Sequence, residues 1–247
     1  MEPSGPGPAA PPPTPPARPD ARFKWWDAAV VFVAGQLVGA SVGYTLGYAI
    51  SGDEVGDAGA LTLACGFAGQ FGVYLVTIWW ISRRRATGSL RRDLGLVVRW
   101  RDWWAIALGL GCAVGLGLLV LPLRNLVDEN QSVVDDLLDA TGAELAVFAI
   151  AAGLLAPIFE ELLFRGLLLR SLLPAMSPNW AIGVSAVAFG AVHFLGGNPL
   201  GTLAVFPALV ALGAISGVLA VRSGDLSRSI LLHMGFNLLA VVGALTG

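Results

Sequence analysis

The sequence predicts an all-α fold, a polytopic transmembrane helical bundle of about seven membrane-spanning helices with its N-terminus in the cytoplasm. Three observations carry this. Of 247 residues, 55% are hydrophobic and only 13% charged, with a mean hydropathy of +0.73. A soluble domain carries about a quarter charged residues, so this chain lacks the charge to cover a water-facing globule. Apolar runs long enough to cross roughly 30 Å of hydrocarbon recur along the chain. Basic residues fall on alternate connections, as the positive-inside rule requires. The formal net charge of −2, with no basic tract beyond one connection, excludes a nucleic-acid partner. Cys65 and Cys112 each sit inside an apolar run, so neither a disulfide framework nor a C-x-x-C metal site is expected. Thirty-two glycines suit close helix packing in lipid.

The elements follow in order. Residues 1–22 read as a Pro-rich tail, since nine of the fifteen prolines lie in 1–20. That composition predicts a disordered, partly polyproline-like segment, and without an apolar h-region it is not a signal peptide. The first apolar run opens on Trp25-Trp26, a pair suited to the membrane interface, and continues to about Ile50. Further runs read as 58–81, 103–123, 144–173 (longer than one span), 178–195, 200–221 and 229–246. We divide the chain into the tail 1–22, N-terminal helices 23–143 and a core 144–247.

Orientation follows from the arginines. Connection 82–102 holds Arg83, Arg84, Arg85, Arg91, Arg92, Arg99 and Arg101. Placing it in the cytoplasm puts fourteen of the fifteen basic residues on one side and leaves only Arg124 outside. The opposite connections are acidic, with Asp53, Glu54 and Asp57 in one and Asp128, Glu129, Asp135, Asp136 and Asp139 in the other. The N-terminus is therefore inside and the C-terminus outside.

A charged side chain at the bilayer centre costs about 2.5–3.5 kcal/mol even on the gentler insertion scales, so the exceptions need a reason. The fourth run carries Glu160, Glu161 and Arg165, the fifth Phe189 and His193, and the seventh His233 and Asn237. The chain has only two histidines, and both are among these residues. Glu161 and Arg165, four apart, share a helix face, so Arg165 should neutralise Glu161. Glu160 lies about 100° around the helix with Phe164 at its i+4 position, which leaves it the freer carboxylate and the candidate general base. His233 and Asn237 share another face. Each group has a plain structural reading: an interfacial helix end with a snorkelling arginine, interhelical hydrogen bonds, packing for Phe189, and kinks or boundaries for Pro157, Pro178 and Pro199. Their conjunction on three otherwise clean runs points instead to water activation and oxyanion stabilisation. For the groups to meet in depth, the 160–180 hairpin must project into the cytoplasm by about two turns.

Glu160-Glu161-x-x-x-Arg165, then Phe189-x-x-x-His193, then His233-x-x-x-Asn237 resemble the motif set of the CPBP (Abi, CAAX prenyl protease type 2-like) family of intramembrane endopeptidases. The resemblance covers roughly 144–240; the first three runs match in hydropathy alone. It implies that Glu160 and His193 activate the attacking water, that Arg165 orients Glu161 in support, and that His233 and Asn237 stabilise the tetrahedral oxyanion. It implies a cavity open to the cytoplasm. Family members are described both as metalloproteases and as glutamate proteases, so the cofactor is either none or a single divalent metal such as zinc, with His193, His233 and Glu160 as its ligands. The expected partners are a peptide or membrane-protein substrate and membrane lipid, in a plasma membrane, with bacteriocin processing as one setting. Two other readings stand beside the protease: a non-catalytic membrane scaffold or bacteriocin-immunity protein, and a proton-coupled transporter using the same residues. The absence of an inverted repeat weakens the transporter.

Overall fold

The computed structural model describes residues 23–55, 57–124, 142–195 and 199–246. The tail 1–22 and the acidic connection holding Asp128, Glu129, Asp135, Asp136 and Asp139 lie outside the described residues. The fold is all-helical. We number the helices α1 (Trp25–Ser51), α2 (Ala60–Arg85), α3 (Trp104–Arg124), α4 (Gly142–Leu172), α5 (Pro178–Leu195), α6 (Pro199–Ser223) and α7 (Ser227–Thr246). Six of the described helices are long and apolar enough to cross a membrane. The seventh expected span, α7, is an apolar helix over Ser227–Gly243, with His233 and Asn237 in its first three turns. The predicted bounds otherwise hold to within a few residues; α2 runs on to Arg85 because its arginines can leave the hydrocarbon as they extend.

Lipid tails are as apolar as leucine, so the hydrophobic effect does little to drive these helices together; close backbone approach does more. Gly39, Gly43 and Gly47 recur every fourth residue and form a smooth stripe on α1. A Cβ on Gly43 would stand 2.3 Å from the Cys65 carbonyl oxygen, and one on Gly39 2.6 Å from that of Gly69. Helices α3 and α7 meet in the same way, with Gly235 backed onto the Ile106 carbonyl and Gly109 onto that of Leu232. This second crossing lies two residues beyond His233 and so fixes its depth. Leu162, Leu167, Leu212, Leu226, Ile230 and Leu232, all fully buried, belong to one apolar cluster that joins α4, α6 and α7.

Residues 86–103 form a strap between α2 and α3, with a short helix at Leu90–Asp93 and a 3₁₀ turn at Trp100–Asp102. The strap is bound at both ends. Near α2, Asp93 accepts from the Ser82 and Thr87 hydroxyls. Near α7, Leu226 N–H donates to the Gly95 carbonyl, Arg99 donates to Asp225 at 2.6 Å, and Arg228 reaches Asp102 at 3.3 Å. Gly95 has φ +74°, and a Cβ there would stand 3.0 Å from Asp225 Cα, so the turn admits only glycine.

Two expectations follow. Gly235→Val should force α3 and α7 apart and lower stability by about 1–3 kcal/mol, read as thermal unfolding in detergent. Burial pushes the Asp93 carboxyl up, but the hydrogen bonds from Ser82, Thr87 and backbone N–H groups outweigh it and hold the group below its ordinary value. The unfolded chain then binds the extra proton first, so the stability supplied by Asp93 is full above the ordinary carboxylate range and is lost as pH falls through the depressed value. Melting curves of wild type and Asp93→Asn should differ most at neutral pH and converge in acid.

Candidate active site

Helix α4 carries two π-helical segments, Ala151–Leu155 and Leu162–Leu169, on either side of a regular segment, Ala156–Glu161. In the first segment the backbone bonds reach five residues back, as from Ala156 N–H to the Ala151 carbonyl. The next donor in that register would be residue 157, which is proline and has no N–H, so the Ala152 carbonyl is orphaned. Asn237 of α7 supplies the missing donor, with Nδ2 2.8 Å from Ala152 O. The proline therefore creates the acceptor that docks the seventh helix against the fourth.

One turn further on are the two carboxylates. Glu161 is fully buried, its Oε1 2.9 Å from Arg165 Nη1 and 3.1 Å from His233 Nδ1. A carboxylate only accepts, so Nδ1 of His233 carries a proton. Nε2 of that ring is turned to Glu160, 3.7 Å from its Oε2. Glu160 keeps 28% of its side chain exposed, while His233 keeps 3%. The consecutive acids thus divide: one is neutralised in the interior and the other is partly exposed.

Arg165 is as buried as its partner. Removing an ion from water costs several kcal/mol unless partners compensate. Besides Glu161, Nη2 donates to the Gly213 carbonyl of α6 at 3.0 Å, and the guanidinium lies 4.7 Å from the centre of the Phe189 ring. Phe189 is the hub of the site. Edge-on contacts join it to Phe164 at 5.3 Å, His193 at 5.0 Å and His233 at 5.5 Å.

His193 closes α5. Its Nδ1–H donates to the Phe189 carbonyl at 2.8 Å, which leaves the Nε2 lone pair free. It joins the cluster through the Phe189 ring, with no direct bond to Glu160. The structure therefore brings Glu160, Glu161, Arg165 and His233 into contact, places His193 across an aromatic ring from them, and ties Asn237 to the α4 backbone. Depth is matched by the bond from Arg170 Nη2 to the Gly224 carbonyl, which sets the α4 end level with the turn before α7.

Sequence spacing did not single out Phe189 as more than packing, although its position four before His193 places both on one face. It also passed over Tyr74 of α2, which borders Phe159 at 6.3 Å and brings an N-terminal helix to the wall of the site. A lone tyrosine in an apolar run carries no signal. Gly35 of α1 makes room for it, since a Cβ there would overlap the Tyr74 ring. Among the described residues no three His, Cys, Asp or Glu side chains are grouped so as to hold a metal ion. His193, His233 and Glu160 do not assemble as a ligand set, so the donors present do not fit a resident zinc.

Arg165→Met should leave Glu161 buried and uncompensated, lowering stability by about 3–5 kcal/mol. Adding Glu161→Gln should recover much of the loss, measured as thermal unfolding of both variants.

Residues 142–239 match the family model described as Type II CAAX prenyl endopeptidase Rce1-like. The matched stretch runs from the start of α4 into α7 and contains all six candidate site residues; α1, α2 and α3 lie outside it. No curated protein and no solved structure gives a match. Over this stretch, about two fifths of the chain, the sequence is similar to CAAX-type membrane endopeptidases.

Proposed function

We propose, from the Rce1-like stretch as premise, that this integral membrane protein hydrolyses a peptide bond with water activated by Glu160. One observation carries the reading: His233 lies between two adjacent carboxylates in opposite conditions, its Nδ1–H held by buried Glu161 and its Nε2 facing partly exposed Glu160. A fixed donor–acceptor axis of this kind orients an imidazole for proton transfer.

Water binds between Glu160 and the free Nε2 of His193. Glu160 takes a proton from it as the oxygen attacks the peptide carbonyl carbon, giving a tetrahedral oxyanion and a protonated carboxyl. That proton passes to Nε2 of His233, and the imidazolium, between two carboxylates, donates to the oxyanion. As the C–N bond breaks, the same proton goes from His233 to the leaving amine, which returns His233 to its neutral form beside the Glu160 carboxylate. Asn237 has a second Nδ2 proton beyond the one given to Ala152, available to the oxyanion. Arg165 fixes Glu161 and does not touch substrate. The substrate is a peptide or the end of a membrane protein, reached from the cytoplasm, and the setting is the plasma membrane.

Purified wild type, Glu160→Gln and His193→Ala should be compared on quenched peptides and isoprenylated peptides, with and without chelator. Wild type should cleave regardless of chelator. Glu160→Gln should lose about 10²–10⁴-fold with folding intact, and His193→Ala should lose activity as well. A folded wild type that cleaves nothing, or full activity in Glu160→Gln, would sink the protease reading in favour of the scaffold. Counterion-dependent flux in liposomes would favour transport.

A further inference from the structure

The arginine-rich end of the bundle separates its charges by depth. Among the described residues four acids lie there, Asp27, Asp93, Asp102 and Asp225, and all four are buried. Each is already bound: Asp27 to Arg85, Asp93 to Ser82 and Thr87, Asp102 to Arg228, and Asp225 to Arg99. The cations Lys24, Arg83, Arg84, Arg91, Arg92, Arg101 and Arg222 are exposed. Among the described residues, the outer surface of this end therefore presents positive charge with no exposed carboxylate.

The same end holds every tryptophan of the chain. Trp25 and Trp26 open α1, Trp79 and Trp80 close α2, Trp100, Trp103 and Trp104 span the strap and the start of α3, and Trp180 opens α5. All eight are exposed, Trp100 most of all at 86%. Amphipathic indoles at headgroup level mark a membrane–water interface. Arg83 and Arg84 already lie over Trp79 and Trp80 at 5.0 and 5.2 Å. Arg91, Arg92 and Arg101 on the strap have no carboxylate or ring partner among the described residues. Trp100 and Trp103, both exposed, lie on the same segment on either side of Arg101.

We propose that the strap, residues 86–103, is a binding site for anionic phospholipid headgroups, with Arg91, Arg92 and Arg101 engaging phosphate and Trp100 and Trp103 anchoring the acyl boundary. Guanidinium groups suit phosphate oxygens, and a juxtamembrane cation gains from an anionic leaflet. The site is joined to the catalytic end of α7 by Arg99–Asp225, Arg228–Asp102 and the Leu226–Gly95 hydrogen bond, so headgroup occupancy bears on the helix that carries His233.

Because all eight tryptophans lie at this end, their emission reports on that leaflet alone. The full chain is reconstituted in phosphatidylcholine vesicles containing either brominated phosphatidylglycerol or brominated phosphatidylcholine at equal mole fraction. Quenching should be stronger with phosphatidylglycerol, with a selectivity of about fivefold for each arginine engaged. Arg91→Gln/Arg92→Gln/Arg101→Gln should abolish that preference, while Arg222→Gln, outside the strap, retains it. In wild type, about 0.5 M salt should weaken the preference, which tests the electrostatic basis without any variant. Equal quenching by the two lipids would overturn the proposal, as would a preference that survives both the triple variant and high salt. None of these readouts depends on peptide cleavage.

Discussion

A carboxylate and a guanidinium, both withdrawn from water, face each other where α4, α5, α6 and α7 converge, and the rest of the membrane core is arranged to make that tolerable. Neither Glu161 nor Arg165 could remain charged there alone. Arg165 is further held by a carbonyl of α6 and the face of Phe189 from α5, and Glu161 by His233 from α7. A single ion pair on one helix thereby recruits three others. In a bilayer, where apolar side chains gain little by leaving lipid for one another, such polar obligations do much of what a hydrophobic core does in water.

Small residues supply the remainder. The glycine stripe of α1 lets α2 approach until backbone meets backbone, and the Gly109–Gly235 crossing does the same for α3 and α7. The two devices differ in what they achieve. Close packing sets distance and depth but is indifferent to chemistry, whereas the buried pair and the Asn237–Ala152 bond fix the rotation of each helix about its own axis. The strap adds a third constraint from outside, holding the start of α7 through two ion pairs and a backbone hydrogen bond.

How much of this could be read from residues alone depends on whether an interaction is local. The helices were legible because hydropathy integrates over twenty residues, and the Glu161–Arg165 pair because four-residue spacing is a property of one helix. The freer state of Glu160 followed from the same spacing. The partner of His233 was not legible: spacing grouped it with Asn237, while packing gave it to Glu161 and sent Asn237 to a backbone carbonyl. That carbonyl is orphaned only by the coincidence of a proline and a five-residue register, which no periodicity in the sequence announces. Phe189 was visible as an aromatic residue but not as a hub, because its four ring neighbours come from two other helices as well as its own. The burial of Asp27, Asp93, Asp102 and Asp225 at the basic end was also hidden, since counting charges places them on a side without saying how deep they lie.

The π segment before Glu160 has a consequence for how such a site can be adjusted. A π turn holds one residue more than the α turn it replaces, and one residue turns everything beyond it by about 100°. The segment Ala151–Leu155 therefore works as a phase shifter, bringing the two carboxylates round to α7 without tilting or sliding α4. Removing a single residue from it would leave composition, hydropathy and helix length nearly untouched, yet would swing Glu160 away from His233 and present lipid with a charge. The direction in which the two carboxylates face is set by the count of residues between Ala151 and Glu160, while Pro157 within that count supplies the contact that holds α7 there.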